Sequence, residues 1–291
     1  MTTPQQQQTN AFAGLAPNAE THFRLYYYAA VSRLLGYMQR LGGAGGAARE
    51  GYQFLQGYED ELRAAMPGGG GEEEARAWWR AEIGAWEQET RARLPLRELA
   101  KTLGLSHGEL IALVLAGVVE EDIRFGSVFA ALQEPLPARR PCLGLLGALA
   151  GGDEERGGGD WWSAARRLMD AGLIVAENRA APRSEWVMRV EPHVWDAVRG
   201  RDLGRISAEC SLVSRREFMP LKKLALDEDL RRRLAGIPAV VARGQLGAVV
   251  LRGMADSGRR AVMGALARAT RRDLLFYDRR GAPPSPADDL W

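Results

Sequence analysis

The stretch WWSAARRLMDAGLIVAENRAAPRSEWVMRV, residues 161–190, combines two hydrophobic patterns. Its first part, WWSAARRLMDAG, has helical spacing and reaches Gly172, a residue type that commonly ends helices. Its second part has two apolar runs, LIVAEN and EWVMRV, separated by the polar RAAPRS, which is typical of a β-hairpin. A helix followed by a hairpin is the element order of a winged helix. We therefore predict a winged-helix domain over residues 93–200.

The sequence before this stretch predicts several more helices. LPLRELAKTLGL is amphipathic, and SHGEL begins the next helix as a capping box between Ser106 and Glu109. LIALVLAGVV, Leu110–Val119, is too short to span a membrane, so we predict a core helix. RFGSVFAALQ and CLGLLGALA predict two further helices, with the proline-rich EPLPARRP between them.

The N-terminal part is expected to be a disordered tail, residues 1–20, followed by a helical region, residues 21–92. The helical candidates are HFRLYYYAAVSRLLGYMQRL, YQFLQGYEDELRAAM and EEEARAWWRAEIGAWEQETRARL. The third contains Trp78 and Trp79, which could stack on nucleic-acid bases. We favour the simpler interpretation that this pair packs in the core or between helices.

Composition narrows the classes of protein. The 291 residues include 39 Lys and Arg against 37 Asp and Glu, a balance unlike that of a strongly basic nucleic-acid binder. Cys142 and Cys210 form no CxxC pair, which argues against a disulfide framework and a cysteine-ligated zinc site. The three histidines lack metal-ligand spacing. With no secretory signal in MTTPQQQQTNAFAGLAPNAE, we expect a cytoplasmic protein without a membrane segment.

The C-terminal part contains a glycine loop. We predict a connector over residues 201–246, with the helix DEDLRRRLAGI ending before Pro238. From residue 247 to 291 we predict a strand (GAVVLR), the loop GMADSG, a helix and a second strand (DLLFYD). The spacing of the loop is that of a phosphate-binding loop, G-x-x-x-x-G. The candidate nucleotide-binding residues are Gly253, Ser257, Gly258 and Arg259, and the alternative is a plain glycine turn.

The two positions after the loop differ from those of a working phosphate loop. They would be Lys and Ser or Thr, whereas here they are Arg259 and Arg260. Arg259 keeps a positive charge, but Arg260 removes the hydroxyl that would ligate Mg²⁺. Asp256 would repel a triphosphate. No later strand ending in acidic residues follows, so we predict that this chain alone does not hydrolyse ATP.

DNA binding is the alternative function of the winged helix. Its candidate residues are Arg166 and Arg167 on the helix and Arg179 and Arg183 at the hairpin tip. Apolar residues make up much of that helix, and the carboxylates in GGDEERGGGD would repel phosphates. We therefore favour contacts with protein partners over DNA.

Two segments resemble a known family. LRGMADSGRRAVMGALARA resembles the phosphate loop and first helix of AAA-type ATPases. Residues 103–150 resemble the winged-helix region of a bacterial subgroup of those ATPases, some of which occur beside phage-tail-like contractile injection systems. The matching residues are Leu105, Glu109, Leu113, Asp122, Arg124, Gly126, Phe129, Leu132, Gln133, Arg139, Arg140 and Pro141.

This resemblance implies that the chain is the N-terminal part, or a remnant, of a larger ATPase. Full members would form hexameric rings and remodel protein assemblies, using ATP and Mg²⁺. The altered loop gives no firm prediction of either cofactor for this chain. The expected fold is mainly α, with a helical region, an α+β winged helix, and the first strand-loop-helix-strand of an incomplete P-loop domain.

Overall fold

A computed structural model of the chain describes residues 10–42, 51–66, 71–150, 161–201, 210–246, 248–254 and 256–278. The chain divides into two compact units, residues 1–201 (unit 1) and residues 202–291 (unit 2). The described residues are mainly helical, with one small antiparallel sheet in each unit. The predicted mainly α class is therefore confirmed. Within these ranges, no helix has both the length and the apolar character needed to cross a membrane.

Unit 1 is built from helices and one hairpin. Its described helices are α1 (Ala19–Gly42), α2 (Leu55–Ala65), α3 (Glu72–Glu89), α4 (Pro95–Leu103), α5 (His107–Glu121), α6 (Phe125–Leu132), α7 (Leu143–Ala150), α8 (Trp161–Asp170) and α9 (Pro192–Val198). Strands β1 (Ile174–Ala176) and β2 (Met188–Val190) follow α8. The short helix α9, which begins with Pro192, was not predicted from the sequence.

Helix α5 forms the centre of unit 1. Its residues from Gly108 to Val118 are all buried, which confirms the predicted core helix. The helix begins with the predicted capping box, in which the amide of Glu109 donates to Ser106 Oγ at 3.3 Å and the amide of Ser106 donates to the Glu109 carboxylate at 2.8 Å. Because α5 is apolar on every side, α1, α7, α8 and β2 all pack against it.

This packing corrects the boundary predicted between residues 92 and 93. Helices α1 and α3, from the expected helical region, share one hydrophobic core with α5, α7 and the hairpin. An all-apolar helix needs neighbours on every side, and α1 covers one side of α5. The helical region and the predicted winged-helix domain therefore fold as one unit.

The N-terminal residues also differ from the expectation. Residues 10–18 are ordered, whereas residues 1–9 of the predicted disordered tail lie outside the described ranges. Phe12 is 5% exposed, and its ring lies 5.5 Å from each of the Trp78 and Trp79 rings. Trp79 is itself buried, which confirms the packing interpretation of this pair over a base-stacking platform. The Phe12 ring thus holds this segment against α3, together with hydrogen bonds from Asn10 Nδ2 and the Ala11 amide to Glu82 at 2.9 and 2.7 Å.

The predicted hairpin is present, with short strands. Strand β1 pairs antiparallel with β2, and Ile174 lies opposite Val190. An isolated bridge between Cys142 and Val187 extends the pairing at the start of α7. The connection between the strands is longer than predicted because a 3₁₀ turn, Arg183–Glu185, lies within it.

Unit 2 contains two helices and two strands in its described residues. Helix α10 spans Glu228–Ala242 and α11 spans Arg259–Ala269. Strand β3 (Cys210–Val213) pairs antiparallel with β4 (Leu274–Tyr277). The core of the unit comprises Leu224, Leu234, Val262, Ala265 and Leu266. The helix and the strand predicted after the glycine loop are confirmed as α11 and β4.

Two predictions for unit 2 are wrong. Helix α10 continues through Pro238, so the helix tolerates the loss of the hydrogen bond that proline cannot donate. The strand predicted at residues 247–252 is absent from the described residues 248–252, and residue 247 lies outside the described ranges. Val250 there is 74% exposed, and β4 pairs instead with β3 from the predicted connector. The described part of unit 2 therefore lacks the strand that precedes the loop in a P-loop domain.

Candidate functional site

The glycine loop, Gly253–Gly258, leads directly into α11. Gly258 is the N-cap of the helix and has φ 79°, a left-handed conformation that favours glycine. The Ser257 amide donates to the carbonyl oxygen of Met254 at 3.3 Å, which closes a turn before Gly258. A Cβ at Gly253 would lie 2.7 Å from Ser257 Oγ, so the absence of a side chain allows this close approach. Ala255 lies outside the described ranges.

The loop is open to solvent. Gly253, Ser257, Gly258 and Arg259 are all exposed, as is Asp256. No side chain caps the first turn of α11 at its N-cap residue Gly258. Helix N-termini leave amide groups without intrahelical partners, and these groups favour anions. The structure thus places the four predicted residues on an exposed loop that leads into a helix N-terminus, with the Asp256 carboxylate in the same loop.

The two arginines that follow the loop lie in different directions. Arg259 leans back toward the loop. Its Cδ lies 3.8 Å from the position that a Cβ on Gly253 would occupy. Arg260 stacks on β4 instead, with its Cζ 3.9 Å from the centre of the Phe276 ring. A guanidinium on an aromatic face is stabilised by a cation–π interaction. Only Arg259 is therefore positioned to face an anion at the loop.

These residues fit a phosphate group better than they fit Mg²⁺. The uncapped amides and Arg259 supply hydrogen-bond donors and positive charge. Magnesium requires oxygen ligands, and the position where a phosphate loop supplies a hydroxyl holds Arg260, whose side chain packs on Phe276. The loop therefore presents main-chain amides and one guanidinium to solvent, beside the carboxylate of Asp256.

The four arginines predicted for DNA binding separate into two sites. On α8, Arg166 pairs with Asp170 at 3.5 Å, and both side chains are exposed. Arg167 pairs with Glu109 Oε1 at 2.5 Å, and the Glu109 side chain is 2% exposed. Arg167 therefore neutralises the buried carboxylate that caps α5, which ties α8 to the core.

The hairpin tip brings the other two arginines together with tryptophans. The Arg183 Cζ lies 4.5 Å from the Trp162 ring, and the Arg179 Cζ lies 6.0 Å from the Trp186 ring. The two tryptophan rings meet edge to face at 5.6 Å. The sequence pattern did not identify Trp186 as a partner of these arginines, because residues 162 and 186 lie on different elements.

Residues 120–142 form a network of hydrogen bonds and ion pairs between α5 and α7. The Arg124 guanidinium donates to both oxygens of Asp122, at 2.9 and 2.7 Å, and these bonds lower the pKa of the Asp122 carboxyl. Arg140 pairs with Glu120 at 2.7 Å. A Cβ at Gly126 would lie 2.9 Å from Arg139 Nε.

Gln133 completes this network. Its Nε2 donates to the carbonyl oxygens of Ala138 and Arg140, each at 2.8 Å, and its Oε1 accepts from the Cys142 amide at 2.9 Å. One amide side chain thus satisfies three main-chain groups of the proline-rich connection. The motif from Asp122 to Pro141 holds this connection in place.

Comparison with known proteins gave no relative. No protein-family model matches the chain, and searches of curated proteins and of solved structures found no match.

Proposed function

We propose that the chain is the N-terminal docking and regulatory part of an AAA-type ATPase that remodels protein assemblies. In this proposal unit 1 contains the winged helix and contacts protein partners. Unit 2 contains a degenerate phosphate loop that binds nucleotide weakly and does not hydrolyse it. The full-length form would assemble as a hexamer with ATP and Mg²⁺.

One observation carries the nucleotide part of this proposal. The exposed loop leads through Gly258 into an uncapped N-terminus of α11, and Arg259 leans over the loop. This arrangement supplies the donors that a phosphate group needs.

A titration with ATP tests the proposal. We expect calorimetry on the full chain to detect weak binding of ATP that is the same with and without Mg²⁺, because position 260 offers no hydroxyl. Arg259→Glu should weaken binding by about tenfold or more, since it replaces a favourable charge with a repulsive one. Phosphate release should stay at the buffer level.

Arg232→Glu is the matched control, because Arg232 is exposed on α10 and the substitution changes the net charge equally. No binding at millimolar ATP, or equal losses in the two variants, would reject the nucleotide site. Sustained phosphate release that Arg259→Glu abolishes would instead contradict the prediction of no hydrolysis.

The second candidate function, a DNA-binding regulator, rests on the hairpin tip. Arg179 and Arg183 are exposed there, and each lies on a tryptophan face. A gel-shift assay should replace these two arginines by alanine rather than Arg167, because Arg167 neutralises buried Glu109. Loss of a retarded band on Arg179→Ala and Arg183→Ala, with unchanged melting temperature, would favour this function.

A further inference from the structure

The two units carry opposite net charge. Residues 1–201 contain 22 Lys and Arg against 26 Asp and Glu, whereas residues 202–291 contain 17 against 11. The near-zero balance of the whole chain therefore conceals a basic unit 2. An asymmetry of this kind between parts of a chain is typical of proteins that bind polyanions.

Part of this charge is concentrated at the C-terminal end of α11. The arginine cluster consists of Arg215, Arg216, Arg268, Arg271 and Arg272. Hydrogen bonds show that its members are neighbours: Arg215 Nη1 donates to the carbonyl oxygen of Arg271 at 2.5 Å, and Arg268 Nη1 donates to that of Arg216 at 3.2 Å. Arg216, Arg268, Arg271 and Arg272 are exposed.

The nearby carboxylates do not neutralise the cluster. Asp273 accepts a hydrogen bond from the main-chain amide of Arg215 at 2.9 Å, and Glu217 accepts one from the amide of Ser214 at 3.2 Å. In the part of the chain that the structure describes, none of the five arginines forms a salt bridge. The positive charge therefore faces solvent.

Structural roles explain only some of these arginines. Arg268 lies in the last turn of α11, where the helix dipole favours a positive charge. It also donates hydrogen bonds to the carbonyl oxygens of Arg216 and Phe218. Arg215 bonds the carbonyl oxygen of Arg271 in a similar way. Among the described residues, the side chains of Arg216 and Arg272 have no hydrogen-bond or ion-pair partner.

We propose that the arginine cluster binds the phosphodiester backbone of a nucleic acid without sequence preference. Guanidinium groups match phosphate geometry, and several of them side by side suit a repeating polyanion. Phe218, the aromatic residue beside the cluster, packs on Gly264 and lies 6.1 Å from the Phe276 ring. Phe218 is therefore not a free aromatic anchor of the kind that a protein interface commonly uses, and the apolar side chain exposed beside it is that of Met219.

This inference is independent of the proposed ATPase kinship. The test is fluorescence anisotropy of the full chain, at several salt concentrations, with a fluorescein-labelled DNA duplex of arbitrary sequence and about 30 base pairs. We expect binding at low salt that weakens steeply as salt rises. Arg216→Glu with Arg272→Glu should weaken it at least about tenfold and reduce the log–log salt slope by about 2.

Two matched variants locate the effect. Arg232→Glu with Arg243→Glu reverses the same charge elsewhere on unit 2, and Arg91→Glu with Arg93→Glu reverses it on unit 1. Each should change affinity by less than about threefold, since neither touches the cluster. Melting temperatures should show that all three variants remain folded.

Three results would overturn the proposal. These are no binding at low salt, equal losses in all three variants, or a loss only in the unit 1 variant, which would place binding on unit 1. Displacement of the duplex by poly-glutamate as effectively as by unlabelled DNA, at equal charge concentration, would assign the cluster to acidic proteins instead.

Discussion

Residues 106–141 form hydrogen bonds and ion pairs with one another and with other parts of unit 1, even where a side chain such as Arg124 is exposed, whereas the residues of the glycine loop face solvent. Gln133 forms hydrogen bonds with three main-chain groups, and the buried Glu109 carboxylate forms an ion pair with Arg167. In the loop, Ser257 and Arg259 are exposed, and the strand expected before them is absent from residues 248–252. The two stretches therefore differ in how far their side chains are bonded to the rest of the chain.

This difference determines how strongly each sequence pattern constrains the fold. A pattern whose side chains pack and hydrogen-bond within the chain constrains the fold, because changing a member leaves a cavity or an unpaired group. A pattern in an exposed loop constrains the backbone at Gly258 and little else. Substitutions at buried positions of residues 106–141, or at the partners of those positions, should therefore reduce stability far more than substitutions of similar chemistry at exposed positions.

The largest effect is expected at Gly117 of α5. A Cβ at this position would overlap the ring of Trp195, whose Nε1 donates to Glu121 at 2.8 Å. Gly117→Ala must displace the ring or shift α9, which should lower the free energy of unfolding by about 3 kcal/mol. Urea unfolding followed by circular dichroism measures this change.

Gly84→Ala is the matched control, because Gly84 is also within a helix and a Cβ there would meet open space. It should raise stability by about 0.5–1 kcal/mol through helix propensity. The two substitutions are chemically identical and have opposite expected signs. Equal effects would mean that close packing at Trp195 does not control the stability of unit 1.

Arg167→Ala should give the second largest effect. It leaves the Glu109 carboxylate, which is 2% exposed, without its cation. The expected loss is about 2 kcal/mol, below the range for a fully buried pair because water reaches the guanidinium. Thermal and urea unfolding both measure it.

Arg166→Ala provides the comparison from the next residue on the same helix. Its partner Asp170 is exposed, so the loss should stay within about 0.5 kcal/mol. A similar loss in both variants would remove the structural role that we assign to Arg167. It would also make Arg167 a valid test of DNA binding.

Sequence periodicity was sufficient for most of the helices and for the hairpin. The capping box at Ser106 and the apolar run to Val119 located α5, because both signals are local. The contact of Phe12 with Trp78 and Trp79 is not local, so the order of residues 10–18 could not be predicted. Similarly, nothing local indicates that β4 pairs with β3 rather than with residues before the loop.

The candidate site was predictable to a smaller extent. The spacing of Gly253 and Gly258 located a turn at a helix start, and the φ of 79° at Gly258 agrees with it. Arg260 points away from the loop because it stacks on Phe276, sixteen positions further along the chain. Sequence periodicity could not predict this contact between two distant residues. The partner of Arg167 depends on α8 packing against α5, and the arginine cluster depends on residues 215–216 lying beside the end of α11.

The smallest predicted effect concerns Asp122, whose contribution to stability should depend on pH. Hydrogen bonds from Arg124 lower the pKa of Asp122 below its ordinary value of 3.8, and its side chain is 10% exposed. A carboxyl whose pKa is lower in the folded state stabilises the fold above its unfolded pKa. That contribution is lost as the pH falls through the folded pKa.

Asp122→Asn should therefore cost about 1 kcal/mol at pH 7, because a charge-assisted hydrogen bond becomes a neutral one. The difference from the unsubstituted chain should shrink as the pH falls below about 4. Urea unfolding between pH 3 and pH 7 (a window of about four units around the ordinary carboxyl pKa) measures it. In an Arg124→Ala background, the same substitution should have a smaller and less pH-dependent effect. A constant difference across the range, with or without Arg124, would mean that this motif pair does not stabilise unit 1 through its charge.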